Sequence, residues 1–319
     1  MNNKFFGILM HLGSNMWADR TSDELPYGYN GKETYLSCDE EVWDDCIKYA
    51  AENGFNAVVI DLGDAIQYKS HPEIAIDGAW SVEKLKDKLK EIRDLGMEPF
   101  PKLNFSTSHD AWLGDYHRMV STKIYYDVVK DLIEEVIDIF DKPTYFHLGC
   151  DEERVEEQAA VNAYFSCFRR GKLLWDDLNF YFDCVRNKGV TPWIWSDHFW
   201  YNKEEFLPNV GMDVILSPWY YDKIYSGDVP PMTPFRQTIL DSFKAISDLG
   251  YKQIVCGSTC WRSQSIKQLM HFVTEQTGGK GIQGFLLAPW YRTHKEWSMS
   301  IKENIYVAQF ARKDFDIFK

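Results

Sequence analysis

The stretch Glu52-Asn-Gly-Phe-Asn-Ala-Val-Val-Ile-Asp61 contains the pattern that sets the fold of this chain. It joins the end of an amphipathic helix to a glycine, and then to an apolar run that stops on a polar residue. Glycine just past a helix end adopts the left-handed conformation that other residues resist. The stretch therefore predicts a helix, a tight turn and a buried strand in succession.

The same pattern returns along the whole chain. Further copies pass through Gly96, Gly189, Gly250 and Gly281. With the remaining apolar runs, the predicted strands are residues 5–12, 56–62, 98–104, 144–150, 191–197, 213–219, 253–259 and 284–290. Their runs are nearly continuous in apolar residues, as expected for parallel strands that are buried on both faces.

Helical periodicity fills the intervals between these strands. In residues 120–140, for example, Ile124, Val128, Leu132 and Val136 share one stripe. About eight strand–helix repeats without a linker predict an α/β fold, a (β/α)8 TIM barrel that forms a single domain over residues 1–319. A doubly wound open sheet is the alternative, but it would need a G-x-G-x-x-G loop that the early strands lack. Residues 154–190 can hold two helical segments and are predicted to be a helical insertion.

The composition restricts the class of protein. Of 319 residues, 45% are hydrophobic and 26% charged, which is typical of a globular protein without a membrane span. A net charge of −13 argues against nucleic-acid and membrane partners, because both attract clustered Lys and Arg. Seven cysteines without zinc-type spacing, and no clear signal peptide, predict a cytoplasmic protein without a metal. The oligomeric state is not predicted.

Residues 144–153, Thr-Tyr-Phe-His-Leu-Gly-Cys-Asp-Glu-Glu, indicate where chemistry takes place. The fourth predicted strand ends on two adjacent carboxylates, Asp151 and Glu152. In parallel α/β folds ligands bind at the carboxyl ends of the strands. Two carboxylates there can divide acid and base work, because a raised pKa on one leaves the other charged. The alternative is the first turn of a helix, where acids interact favourably with the helix dipole.

Polar and aromatic side chains follow nearly every predicted strand. In a barrel they gather on one face, where a mixture of aromatic platforms and carboxylates suits a sugar. Aromatic residues make up 16% of the chain, including 12 Trp. The residues at these strand ends include Asp61, Asp64, Asn104, His109, Trp195, Asp197, Trp219, Asp222, Trp261 and Trp290. The sequence therefore predicts a carbohydrate-binding pocket.

The pattern His147-x-Gly149-x-Asp151-Glu152 resembles the signature of glycoside hydrolase family 20, the β-N-acetylhexosaminidases. The resemblance extends more faintly over the barrel, to His109 after the third strand, Trp193 and Trp195 in the fifth, Tyr220-x-Asp222 after the sixth and Trp290 after the eighth. A separate N-terminal domain is not recognisable, so the resemblance implies a barrel-only relative.

The resemblance implies retaining hydrolysis in which the 2-acetamido oxygen of the substrate is the nucleophile. Glu152 would act as acid and then as base, Asp151 would orient the acetamide N–H, and Tyr220 would donate a hydrogen bond to the acetamide oxygen. The implied substrate is a terminal β-linked GlcNAc or GalNAc, and no cofactor is needed. The predicted substrate-binding residues are His109, Trp193, Trp195, Asp197, Trp219, Asp222, Trp261 and Trp290, of which Trp219 and Trp261 fit a hydrophobic core equally well.

Two positions depart from the family pattern. The family usually has an Arg at the end of the first strand, where this chain has Leu12-Gly-Ser-Asn15. The family also has a Glu two places after its last tryptophan, where this chain has Arg292. Both positions contact the far edge of the sugar, so the choice between GlcNAc, GalNAc and a modified sugar stays open.

Two further hypotheses are compatible with the sequence. A conventional retaining glycosidase would use Glu152 as acid with Asp197 or Asp222 as nucleophile, on sugars with a plain 2-hydroxyl. A non-catalytic barrel would bind sugar without turnover.

Overall fold

Eight parallel strands pair in chain order and close into a barrel through β1 and β8. The structure is a computed structural model that describes residues 4–24, 31–160, 163–225, 231–259 and 265–313. The strands are β1 (Phe5–His11), β2 (Ala57–Asp61), β3 (Glu98–Lys102), β4 (Tyr145–His147), β5 (Thr191–Trp195), β6 (Ile215–Ser217), β7 (Gln253–Gly257) and β8 (Ile282–Leu287). The predicted (β/α)8 barrel is confirmed.

Helices cover the outside of the barrel. Those in the described residues are α1 (Glu40–Glu52), α2 (Val82–Asp94), α3 (Lys123–Ile139), α4 (Val155–Ala160), α5 (Gly171–Asn187), α6 (His198–Tyr201), α7 (Lys203–Asn209), α8 (Pro234–Asp248), α9 (Ser265–Thr277) and α10 (Ser298–Lys313). Ser81 and Thr122 cap α2 and α3, because their hydroxyls accept backbone N–H groups of the first turn. None of the described helices has the length and apolar character needed to cross a membrane.

The strands separate two hydrophobic layers. Alternate residues point into the barrel, where Phe5, Leu9, Phe100 and Trp193 belong to one cluster. The residues between them point outward and pack beneath the helices in a second, larger cluster. Because both strand faces are buried, the apolar runs in the sequence are continuous.

The predicted insertion, residues 154–190, contains α4 and α5. Helix α5 packs against α3 and β5, so it occupies the position of the ordinary barrel helix between β4 and β5. The part that exceeds the barrel plan is residues 154–170, which hold the short α4.

Candidate active site

A strained turn follows β4 and carries the two acids. Gly149, Cys150 and Glu152 all have positive φ, at 70°, 63° and 54°. Non-glycine residues in this region cost about 1–3 kcal/mol each and persist where the surroundings enforce them, often at functional sites. The turn follows the carboxyl end of β4, so Asp151 and Glu152 lie at the barrel mouth.

Asn104, directly after β3, fixes this turn. Its side-chain oxygen accepts the N–H groups of Ser106 and Cys150, both at 3.1 Å, and its amide nitrogen donates to Asp151 Oδ1 at 2.9 Å. A β-carbon on Gly149 would lie 2.0 Å from the Asn104 side-chain oxygen, so only glycine fits beside it. The glycine of the sequence motif is therefore required by the neighbouring strand.

His109 connects the two carboxylates. Its Nε2 lies 3.5 Å from Glu152 Oε2, and its Nδ1 lies 3.9 Å from Asp151 Oδ1. The ring is buried in the loop that follows β3. Ser108 in the same loop donates to the Glu152 carbonyl at 2.6 Å. His109 and the two acids, predicted separately, therefore form one cluster.

The carboxyl group of Glu152 is held in its neutral form. Burial raises its pKa, and the negative charges of Asp151, Glu157 and Asp197 raise it further. The Glu152 side chain is 27% exposed, against 12% for Asp151. A carboxylic acid that stays protonated and reaches solvent is suited to donate a proton to an incoming ligand.

Asp197 supports Glu152 and does not contact a pocket directly. Its Oδ2 accepts the backbone N–H of Glu152 at 2.9 Å, and the residue is 1% exposed. Burial raises the pKa of Asp197, with a further contribution from the charge of Asp151. Asp197 therefore fixes the turn that carries Glu152, and its predicted contact with substrate stays a prediction.

A buried ion network that the sequence did not reveal anchors the same turn. Arg169 is 1% exposed and donates to Glu153 Oε1, to Asp177 Oδ2 at 2.8 Å and to Tyr181 Oη at 2.9 Å. Thr107 Oγ1 donates to the other oxygen of Glu153 at 2.7 Å. Glu153, the acid that follows Glu152, is thus a structural anchor for the turn that carries Asp151 and Glu152. Arg169 stands 16 residues away in the chain, so spacing alone gave no signal for it.

The aromatic rings of Trp195 and Trp290 and the neutral imidazole of His147 form the floor of the barrel mouth. His147 Nδ1 accepts the N–H of Gly149 at 3.0 Å, and burial together with the charge of Lys102 lowers its pKa well below the usual value. The Trp195 ring lies 4.4 Å from the His147 ring and 6.1 Å from the Trp290 ring. Trp195 is itself buried, and its predicted contact with substrate stays a prediction.

Trp193 lies deeper in the barrel than predicted. It is fully buried, donates from Nε1 to Ser217 Oγ at 2.7 Å, and packs on Phe5 with ring centroids 5.5 Å apart. Because Trp193 precedes Trp195 by two residues on the same strand face, it sits about 6–7 Å further from the mouth. The ring belongs to the barrel core, and its predicted contact with substrate stays a prediction.

Tyr220 points away from the acids and Tyr221 takes the inner position. The Tyr220 hydroxyl accepts a hydrogen bond from Arg236, and the ring belongs to the outer cluster. Tyr221 packs in the inner cluster, 6.3 Å from Trp290, and the charge of Asp151 contributes to its raised pKa after burial. Tyr221, and not Tyr220, therefore packs toward the barrel interior, while the catalytic role predicted for Tyr220 stays a prediction.

The remaining predicted residues fall into three groups. Trp219 and Trp290 are partly exposed at the mouth, where Trp219 stacks on Tyr221 at 5.3 Å. Asp222 is partly buried, and its charge contributes to the raised pKa of Tyr220. Trp261 lies outside the described residues.

A polar chain runs along the β8–β1–β2 side of the mouth. Arg292 Nη1 donates to Glu33 Oε1 at 2.9 Å, and the Glu33 N–H donates to Asn15 Oδ1 at 2.8 Å. The Asn15 amide donates to Asp64 Oδ2 at 2.7 Å, and burial raises the pKa of Asp64 to about 6. This side therefore presents a guanidinium, although the end of β1 has no Arg.

Cavity size does not locate this site. The largest of the described cavities, about 840 Å³, opens at the other end of the barrel, beside Phe5, Phe100 and Tyr145 where the strands begin. Enzymes of this fold use the end where the strands finish, and the opposite end contributes to stability. The cluster of Asp151, Glu152 and His109 therefore indicates that the site lies at the turn after β4.

One group of side chains in the described residues could hold a metal ion. His109, Asp151 and Glu152 each offer one ligand atom, and these atoms lie within 4.8 Å of one another. The same atoms carry out acid–base chemistry without a metal in the mechanism proposed below.

The barrel is similar to solved structures of hexosaminidases. The β-N-acetylhexosaminidase from Bacteroides fragilis is 13% identical over 97% of this chain and 65% of its own, with a TM-score of 0.62. The family 20 β-N-acetylhexosaminidase from Streptomyces coelicolor is 10% identical over 97% and 64%, with a TM-score of 0.64. The family 20 exo-β-N-acetylglucosaminidase from Vibrio harveyi, solved with N-acetylglucosamine, is 11% identical over 98% and 57%, with a TM-score of 0.59.

These likenesses concern the fold. No protein-family model and no curated protein sequence matches the chain. The chain spans about 57% to 65% of the length of the three hexosaminidases. Its barrel has the fold that the barrels of these family 20 enzymes have.

Proposed function

We propose that this protein is a glycoside hydrolase, an exo-acting β-N-acetylhexosaminidase that retains configuration through the 2-acetamido group of its substrate. The observation that carries the proposal is the cluster of Asp151, Glu152 and His109 on one turn at the barrel mouth. The similar barrels of hexosaminidases support it.

The geometry favours substrate assistance over a conventional pair of acids. A retaining pair lies about 5–5.5 Å apart on either side of the bond being cut. Here Asp151 and Glu152 share one imidazole and lie on the same wall, so Asp151 is poorly placed to attack the anomeric carbon. One carboxylate oxygen of Asp197 accepts the Glu152 N–H and the residue is 1% exposed, so it is poorly placed to act as the nucleophile. Substrate assistance fits this arrangement, because the substrate supplies the nucleophile and no second carboxylate is needed opposite Glu152.

The roles follow from these positions. Glu152, held neutral, protonates the glycosidic oxygen while the acetamide oxygen attacks the anomeric carbon, giving a cyclic oxazolinium. Asp151, oriented by Asn104, accepts the acetamide N–H and balances the positive charge. Tyr221 donates to the acetamide oxygen. Glu152, now ionised, then takes a proton from the water that opens the ring.

The sugar and the compartment belong to the same proposal. The far edge of the sugar would meet Arg292 and its partner Glu33, which leaves both GlcNAc and GalNAc as candidates. The cysteines of the described residues are free thiols, which supports a cytoplasmic location.

The direct test is turnover of p-nitrophenyl β-GlcNAc and β-GalNAc, with inhibition by a thiazoline that mimics the oxazolinium. The corresponding 2-hydroxy glucoside should not be cleaved. Turnover of that glucoside at a similar rate would support the conventional alternative, and calorimetric sugar binding without any turnover would support the non-catalytic one.

Replacing Asp151 with Asn is expected to lower kcat/KM for 2-acetamido substrates by about 10²- to 10³-fold, the usual loss when one charge-stabilising group is removed. The loss should be similar for good and poor leaving groups, because in both cases the oxazolinium forms in the same step that breaks the bond to the leaving group. Rates on a p-nitrophenyl and an alkyl glycoside measure this. An Asp151→Asn protein with full activity would remove the assigned role.

The pH profile should have its descending limb on the alkaline side. Glu152 must be protonated in the free enzyme, so kcat/KM is maintained below its pKa and lost as the pH rises through it. Burial and neighbouring acids place that pKa at about 9. A kcat/KM profile from pH 5 to pH 10 tests this, and a descending limb near pH 5 would contradict the assignment of Glu152 as the acid.

A further inference from the structure

The outer face of α10 carries large apolar side chains. Met299, Tyr306 and Phe310 are 76%, 49% and 46% exposed. The rings of Tyr306 and Phe310 contact each other, with centroids 4.9 Å apart. Trp297, directly before the helix, is 37% exposed and stacks on Tyr291 at 4.8 Å. Scattered apolar side chains on a surface are normal, whereas grouped ones mark sites of interaction.

The exposed positions of α10 form one stripe. They lie four or three residues apart and are Met299, Glu303, Tyr306, Phe310 and Lys313. At 3.6 residues per turn this spacing directs all five side chains to the same side of the helix. Ile301, Ile305 and Ala308 face the other way and are buried. Alternating steps of three and four are the spacing with which one helix packs on another.

The helices beside α10 lack such a stripe. Helices α1 and α9 both pack against α10. The exposed positions of α1 are all charged, and those of α9 are all charged or polar. The apolar outer face is therefore particular to α10 within this part of the barrel, and it is not a general feature of the helix layer.

The stripe is complementary to itself when two copies of α10 lie antiparallel. A two-fold axis places residue i of one helix opposite residue j of the other, and j opposite i. With the axis at the level of Ala308, position 303 lies opposite 313, and position 306 lies opposite 310, because each pair is centred on residue 308. Glu303 then meets Lys313 of the second copy at both ends of the stripe. Between these ends the ring of Tyr306 meets the ring of Phe310.

We propose that α10 is a self-association surface, on which a second copy of this chain packs antiparallel with Tyr306 and Phe310 at the centre and two Glu303–Lys313 pairs at the ends. Burial of the aromatic rings supplies most of the free energy of association. The exposed charge pairs contribute less and fix the register. One helix face is smaller than the roughly 800 Å² per partner of a standard interface, so the dimer is reversible and its population depends on protein concentration. The inference does not depend on the proposed function.

The first test exchanges the charges at the ends of the stripe. Glu303→Lys gives a stripe with two lysines, and Lys313→Glu gives one with two glutamates. Each variant alone places like charges opposite each other twice, so its dimer dissociation constant is expected to rise about tenfold above that of the wild type. An equimolar mixture of the two variants places Lys opposite Glu at both ends and should form a heterodimer with wild-type affinity. Sedimentation velocity from about 1 µM to about 500 µM measures these constants.

The second test removes the rings at the centre. Tyr306→Ala/Phe310→Ala is expected to abolish self-association over the same concentrations, and its thermal unfolding should match the wild type because both residues are exposed. A matched control is the pair of Tyr201 and Phe235, each 43% exposed with ring centroids 5.3 Å apart. Tyr201→Ala/Phe235→Ala should leave the dimer dissociation constant unchanged.

Three results would contradict the proposal. A wild-type protein that stays monomeric throughout this range would overturn it and leave the stripe to a partner other than this chain. Self-association that persists in Tyr306→Ala/Phe310→Ala would place the interface elsewhere on the molecule. Charge variants that each dimerise like the wild type, or whose mixture stays monomeric, would overturn the antiparallel register.

Discussion

Glu152→Gln should lower kcat/KM for alkyl and sugar leaving groups by about 10²- to 10⁴-fold, the usual contribution of a positioned general acid. Glutamine keeps the shape of the side chain but has no proton to give. The loss should be much smaller for glycosyl fluoride or dinitrophenyl glycosides, whose leaving groups depart with little protonation. The dependence of the loss on the leaving group is the signature of a proton donor.

The control for this substitution is Glu156→Gln, an exposed acid on α4 four positions further along the chain. It makes the same side-chain replacement in the same segment, away from the barrel mouth, and should keep wild-type rates. A Glu152→Gln protein that cleaves an alkyl glycoside at the wild-type rate would exclude the proton-donor role. An equal loss for every leaving group would indicate a role in holding the turn.

Arg169→Met is expected to destabilise the protein by about 3–5 kcal/mol, because it leaves buried carboxylates without their counter-charge. The side chains of Arg169, Glu153 and Asp177 are all fully buried. Methionine fills part of the space but cannot donate to either acid. Thermal unfolding followed by circular dichroism measures the effect as a lower Tm.

The neighbouring Arg170 provides the matched control. It is exposed, so Arg170→Met should leave Tm nearly unchanged. Because Glu153 directly follows Glu152, the Arg169→Met protein should also lose activity at temperatures where it remains folded. A Tm within about one degree of the wild type would show that the network contributes little, contrary to the usual cost of an unpaired buried charge.

The order of strands and the location of the acids could be read from the sequence. Glycine after five of the helices and nearly continuous apolar runs predicted the eight strands, because these local features depend on backbone conformation and burial. The position of Asp151 and Glu152 after β4 followed from the same reading. His109 was identified through the resemblance, and the structure brings it within 3.5 Å of Glu152.

What the sequence could not give for the predicted site is the direction and depth of its side chains. Tyr220 and Tyr221 are adjacent, and a shift of one residue exchanges the barrel interior for the helix layer. Trp193 and Trp195 share a face but differ in depth. Composition describes neither property, since both depend on strand register within the closed barrel.

The sequence by itself determined the barrel and placed two carboxylates at its mouth, because glycines past helix ends and the periodicity of apolar residues are local features. Only the tertiary structure decided which groups surround those carboxylates. The anchor between Arg169 and Glu153, the hold of Asn104 on the turn and the ring pair of Tyr201 and Phe235 each join residues from different elements. Contacts of this kind depend on how helices and loops pack on the barrel, and that packing has no signature in residue spacing.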